Sequence, residues 1–134
     1  LQAEAAAKRI EQGITSLNNP TNLRAFQLAN QAMALSARRR AVIDNKDSKS
    51  LIPTWRPFQL AFLLLNLVSI AEPTNTDRDI VDLLFFPTGG GKTEAYLGLS
   101  AFTLVLRRLQ NPGIGSAGVT VLMRYTLRLL TLDQ

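Results

Sequence analysis

The sequence predicts an α/β fold, the opening part of a parallel-sheet domain preceded by an α-helical N-terminal segment. Three observations predict it. Two short apolar runs, IVDLLFF at 80–86 and GVTVLM at 118–123, have the near-continuous apolar character of strands buried on both faces. Between them, KTEAYLGLSAFTLVLRRL repeats apolar residues at spacings of three and four, as an amphipathic helix does. The glycine-rich PTGGG joins the first run to that helix, so strand, loop, helix, loop and strand follow one another as a βαβ unit.

The elements before this unit read as helices. AEAAAKRIEQGITSL is alanine-rich and of high helix propensity, and Asn18-Asn19-Pro20 breaks it. Asn18, Asn19 or Thr21 is placed to cap a second helix, NLRAFQLANQAMALSARRRAVID, in which Leu23, Phe26, Ala29, Met33 and Ala37 form an apolar stripe suited to core packing. Arg38, Arg39 and Arg40 fall near its C-terminal end, where cations suit the helix dipole. They read either as a solvated helix end or as a nucleic-acid contact. The polar stretch from Asp44 to Thr54 is a linker, which divides the chain into residues 1–50 and 51–134. Pro57 suits a first helical turn, and the helix through FQLAFLLLNLVSIAEP is expected to stop before Pro73. Gly113 is placed to end the helix that follows the glycine-rich loop, and YTLRLLTLDQ is expected to begin another.

Composition limits the chemistry. The 134 residues include neither Cys nor His, so imidazole and thiolate metal sites, disulfides, and triads built on His are excluded. Catalysis would rest on carboxylates, Lys, Arg, hydroxyls and backbone groups. With 46% hydrophobic and 19% charged residues the chain has ordinary globular composition, and its net charge of +5 favours polyanionic partners without selecting one. The apolar run from Leu60 to Ala71 is shorter than the ~20 residues of a membrane span, and no signal-peptide pattern opens the chain. A soluble, cytoplasmic protein with no membrane partner is expected. Two strands are too few for a stable sheet, so the chain is expected to be a piece of something longer that does not hold its fold alone.

Thr88-Gly89-Gly90-Gly91-Lys92-Thr93 carries the functional reading. Glycines allow successive backbone N–H groups to face one phosphate, where side chains would block the approach. Lys92 is placed for the β- and γ-phosphates, Thr93 offers a hydroxyl to Mg²⁺, and the following helix presents its N-terminal dipole. The usual pattern has Gly six positions before the Lys, where this chain has Phe86. Glu94 is expected to point away from a nucleotide. In Trp55-Arg56-Pro57-Phe58-Gln59, the Gln59 amide reads either as a solvated helix-start side chain or as a two-point contact to adenine, with Arg56 or an aromatic ring stacked on the base. After the second expected strand, Arg124 and Thr126 would share the carboxyl rim with the phosphate loop, where Thr126 reads as a helix cap or as part of an anion-facing turn.

Together these strings resemble the start of a superfamily 2 helicase. RPFQ is similar to the adenine-reading Q motif, PTGGGKT to motif I, and VLMRYTLRLLTLDQ to motif Ia. More narrowly, AFQLANQAM, WRPFQLAFLLLNL, LLFFPTGGGKTEAYLGLSAF and VLMRYTLRLLTLDQ resemble the helicase-like component of DISARM anti-phage defence systems, over roughly residues 20 to 134. The resemblance implies a P-loop, RecA-like domain in 51–134. It implies ATP and Mg²⁺ as cofactors, with Gln59 on adenine and Thr88 through Thr93 on the triphosphate. Arg124 and Thr126 would lie on the path of DNA, and other defence-system subunits would be partners. It further implies that the acid of the Walker B motif and the second core domain with its arginine finger lie outside these residues. Two other readings stand beside the ATP-driven motor. One is a different phosphate-loop NTPase or kinase, which would not need Gln59 or Arg124; the other is a non-enzymatic helical interaction module whose glycine-rich turn holds no nucleotide.

Overall fold

A computed structural model describes residues 2–85, 87 and 90–124. Four α-helices make up most of these: α1 (Gln2–Ser16), α2 (Pro20–Ile43), α3 (Pro57–Ala71) and α4 (Lys92–Gln110). Short 3₁₀ turns occupy Thr76–Asp79 and Gly113–Ser116.

Helix ends fall where local chemistry puts them. α1 closes at Ser16 through tightened turns, with the N–H groups of Leu17, Asn18 and Asn19 reaching back to Ile14, Thr15 and Ser16. Asn19 then caps α2, its Oδ1 accepting from the N–H of Thr21 at 2.9 Å and of Asn22 at 3.3 Å, with Pro20 in the first turn. At the other end Asn45 takes a left-handed conformation (φ 54), the N–H of Lys46 reaches Ala41 O, and that of Asn45 reaches Val42 O. This is a Schellman closure made with Asn, whose short polar side chain tolerates that conformation. α3 starts at Pro57 and ends two residues before Pro73.

The helices lie side by side in the order α1, α3, α4, α2. A core cluster joins Ala25 and Ala29 of α2, Leu67 and Ala71 of α3, and Phe102 and Leu106 of α4, with Phe102 and Leu67 wholly excluded from solvent. Full burial of a side chain of this size contributes roughly 1.5–3 kcal/mol. Two glycines set the spacing. A Cβ on Gly13 would collide with the backbone carbonyl of Leu64, so α1 rests on α3 backbone to side. A Cβ on Gly98 would meet the Trp55 ring at 2.7 Å. Trp55 in turn donates its indole N–H to Asn30 Oδ1 at 2.5 Å, which clamps the residues before α3 between α2 and α4. Phe62 and Tyr96 meet edge to face at 5.7 Å across α3 and α4.

The expected α/β fold is overturned: the described residues are helical and contain no strand or sheet. Residues 80–85 form no strand and are not paired. Val81, Leu83 and Phe85 are 93%, 88% and 89% exposed, while Asp82 and Leu84 are half-buried. A lone apolar run gains nothing as a strand without a ladder partner, and polar contacts to helices have claimed both segments instead. Asp82 is held by Arg9 of α1. In the second segment Arg107 donates to the carbonyls of Ala117 and Val119 and to the Thr120 hydroxyl, occupying acceptors that a ladder would use.

Smaller corrections have local causes. α4 ends at Gln110 with Asn111 as its cap, and Gly113 (φ 82) instead opens the 3₁₀ turn. On α2, Leu23 is exposed while Ala25, Ala29 and Ala41 are buried, because close helix approach selects small side chains for the inner face. The helix expected from Tyr125 onward lies outside the described residues. α1 and α2, before the linker, pack on α3 and α4, after it.

Candidate functional site

The end of the glycine-rich loop, the start of α4 and the start of α3 come together. Phe86, Thr88 and Gly89 lie outside the described residues. Of the remainder, the Gly90 N–H donates to Pro87 O at 3.1 Å, which closes a turn ahead of the helix. Gly91 caps α4 in the left-handed region (φ 92, ψ 26), and a Cβ there would sit 2.7 Å from Gln59 Nε2. The left-handed conformation therefore favours glycine at this position, and a Cβ would displace the Gln59 amide.

Two side chains at the start of α3 hold successive carbonyls of the loop. Arg56 Nη1 donates to Gly90 O at 2.9 Å, and Gln59 Nε2 donates to Gly91 O at 2.7 Å. Gln59 Oε1 accepts from the Arg56 backbone N–H at 2.8 Å, so the same amide also closes the first turn of α3. The peptides are trans, and in a trans peptide the C=O and N–H point in opposite directions. With both carbonyls drawn toward α3, the N–H groups of Gly91 and Lys92 are directed to the opposite side. They lie there at the N-terminal end of α4, a 19-residue helix whose dipole adds positive potential. The arrangement is chemically suited to a phosphate-type anion.

Lys92 is half-buried and Thr93 exposed, both in that first turn. Glu94 turns back toward the loop rather than away from it, with its Oε2 3.4 Å from the position a Gly91 Cβ would take. Ala95, fully buried, fixes the helix behind them. Gln59 is 5% exposed, and each end of its amide already has a protein partner. One N–H and one lone pair of that amide are left over. Arg124 is exposed and makes no hydrogen bond or ion pair among the described residues, and Thr126 lies outside them. The structure thus gathers Arg56, Gln59, Gly90, Gly91, Lys92 and Thr93, and does not join Arg124 to them.

Sequence reasoning missed a second polar cluster. Arg9 of α1 grips Asp82 with both terminal nitrogens, at 2.7 and 2.8 Å, and its Nε faces Asp77 Oδ2 at 3.0 Å. The last contact is an ion pair off the N–H axis, since that nitrogen is buried without a hydrogen bond. The Asp82 hydrogen bonds, aided by charge from Asp82 and Asp77, raise the Arg9 guanidinium above its ordinary value against the opposing effect of burial. One signal in the sequence pointed to it, an acid in the middle of an apolar run. No cluster of three metal-ligating side chains occurs among the described residues, and none of their helices is long and apolar enough to cross a membrane.

No family profile matches the chain, and no solved structure matches it. DISARM protein DrmA of Bacillus paralicheniformis is 45% identical over 145 aligned positions. The alignment takes in 98% of this chain and 13% of that protein. The narrower resemblance carried by the glycine-rich and aromatic strings therefore extends over almost the whole chain, which is similar to one stretch of a DISARM protein DrmA and spans about an eighth of its length.

Proposed function

We propose that this chain is the nucleotide-phosphate-holding part of a DISARM anti-phage defence protein of the DrmA kind, and that its parent is an ATP-driven nucleic-acid motor of the superfamily 2 helicase type. The observation that carries the reading is the pair of carbonyl contacts from Arg56 and Gln59, which turn the Gly91 and Lys92 amides away from α3 at the start of α4. The likeness to DrmA supports the defence context.

In this reading Gly90, Gly91 and the first turn of α4 hold the β-phosphate of ATP through backbone N–H groups. Lys92 adds charge toward the β- and γ-phosphates, and the Thr93 hydroxyl takes a place on Mg²⁺. Thr88 and Gly89 complete the loop. Arg56 and Gln59 act first on the loop carbonyls, and the remaining N–H and lone pair of Gln59 are available to an adenine edge. Glu94, beside Gly91, opposes an anion there, so Lys92 and the metal must outweigh it. DNA is the expected track, with exposed Arg124 and its neighbour Thr126 on the path. Other DISARM subunits are the expected partners.

Steady-state ATPase measurement of the full parent tests the proposal. Lys92→Ala is expected to remove turnover, because it deletes the charge placed for the transferring phosphoryl group. Turnover within a few-fold of the unmodified parent would overturn the phosphate-site reading. Arg124→Ala should weaken DNA binding evenly across sequences and lower the salt slope by about one. An unchanged slope would remove Arg124 from the track.

A further inference from the structure

The route by which the chain reaches the glycine-rich loop is held at one point. Residues 81–85 carry the backbone from the Thr76–Asp79 turn toward the loop, and no backbone hydrogen bond fixes them among the described residues. Val81, Leu83 and Phe85 are exposed, Asp82 and Leu84 are half-buried, and Asp82 is bonded to α1. Asp82 is the polar attachment of this segment, and its partner comes from 73 residues away on α1. The Arg9 side chain is 13% exposed and that of Asp82 20%, so solvent screens the pair less than a surface ion pair. A two-pronged guanidinium contact fixes direction as well as distance. Asp77, which touches the same Arg9, is itself bound into the turn capped by Asn75, whose Oδ1 accepts the Asp77 N–H at 2.9 Å. Arg9 thus joins α1 both to the turn before the segment and to the segment itself. α1 is in turn seated on α3 through Gly13, and α3 carries Arg56 and Gln59, the residues that hold the far end of the loop.

We infer that Arg9 is a positioning residue for the glycine-rich loop. Through Asp82 and Asp77 it fixes the entrance of the loop to the same α1–α3 pair whose other end, at Arg56 and Gln59, fixes the exit. The N-terminal helix then belongs to the anion site although it contributes no group to it. The consequence for nucleotide rests on the phosphate-site reading above; the tether itself does not.

The test uses the full parent protein with Arg9→Met, Asp82→Asn and Arg9→Lys, and with the exchange Arg9→Asp plus Asp82→Arg. Asp82→Asn is close to isosteric and guards against a misfolded Arg9 variant. Two readouts separate tether from nucleotide. The first is chymotrypsin cleavage after Phe85, whose side chain is 89% exposed, with cleavage after fully buried Phe102 as the control for global unfolding. Release of a charged two-pronged contact is expected to speed cleavage at Phe85 on the order of tenfold while cleavage at Phe102 is unchanged. The second is the KM and kcat for ATP, where KM is expected to rise several-fold and kcat to stay within about twofold, since no group touching ATP is removed. Arg9→Lys, which keeps the charge and loses the fork, should fall between, and the exchange should recover part of both effects.

Unchanged cleavage at Phe85 in folded variants would overturn the inference, as would cleavage that rises at Phe85 and Phe102 together. Faster cleavage at Phe85 with unchanged KM would overturn the positioning role and leave a tether unconnected to nucleotide. If the unmodified parent shows no ATP binding, the phosphate-site reading fails by itself, and the cleavage arm still decides whether Arg9 holds the segment.

Discussion

The helical layer and the segments at 80–85 and 118–123 are both apolar, yet they meet opposite fates. Leu67 and Phe102 are wholly buried, while Leu83 and Phe85 are 88% and 89% exposed. Side-chain chemistry is matched between the two pairs, so hydrophobicity alone does not decide burial. The helices satisfy their own backbone and need only a complementary face, which Gly13, Gly98 and the alanines of α2 provide by letting axes approach. An extended segment must first find a backbone partner. Residues 80–85 have no partner strand among the described residues, and Arg9 holds them by a carboxylate instead.

The sharpest way to break this comparison is to make the same substitution in both regions. Phe102→Ala is expected to destabilise by about 3–5 kcal/mol, since it removes a buried ring and leaves a cavity. Phe85→Ala should change stability by no more than about 0.5 kcal/mol. Urea unfolding followed by far-ultraviolet circular dichroism measures both, and similar losses would show that residues 80–85 are packed as firmly as the helices. A smaller contrast uses glycine. Gly13→Ala drives a methyl into the Leu64 carbonyl and should cost about 3 kcal/mol, whereas Gly115→Ala meets nothing within 4 Å and should be neutral or slightly stabilising. Equal midpoints for the two would mean that α1 does not rest on α3 as described.

An intermediate effect is expected where the two regions join. Gln59→Ala removes the bond to Gly91 O and the bond from Arg56 N, and should cost about 1–2 kcal/mol. In the parent it should also raise the KM for ATP, because the loop carbonyl is released. Loss of ATP affinity with no loss of stability would assign Gln59 to adenine alone. Loss of stability with ATP affinity intact would make it a structural cap.

Much of the helical part was legible because its signals are local. Asn19 and Pro20 mark the start of α2, Pro57 marks the start of α3, and Pro73 limits its end, since each acts on its own backbone within a few residues. The start of α4 at Lys92 was legible for the same reason, since it follows a run of glycines, whereas the left-handed conformation of Gly91 was not. The roles of Arg56 and Gln59 were legible only in part. The sequence placed both at a helix start before a glycine-rich loop, but their engagement with the Gly90 and Gly91 carbonyls depends on how α3 lies against α4. Arg9 was not legible, because its partners are remote in sequence and an arginine on an alanine-rich helix reads as solvated.

By itself, the sequence determined where α2 and α3 begin and where α3 ends, the absence of thiol and imidazole chemistry, and the presence of a glycine-rich turn before a helix with Lys92 and Thr93 in its first turn. Those features follow from backbone preference and residue inventory, which act at short range. Tertiary structure alone decided whether IVDLLFF and GVTVLM would pair, and among the described residues they do not. It also decided which way the loop carbonyls turn and which remote side chain holds the loop's entrance. The physical reason is that strand pairing and buried ion pairs are interactions between distant segments. Their partners are chosen by how the helices pack, and a pattern read along one segment carries no information about what will lie beside it.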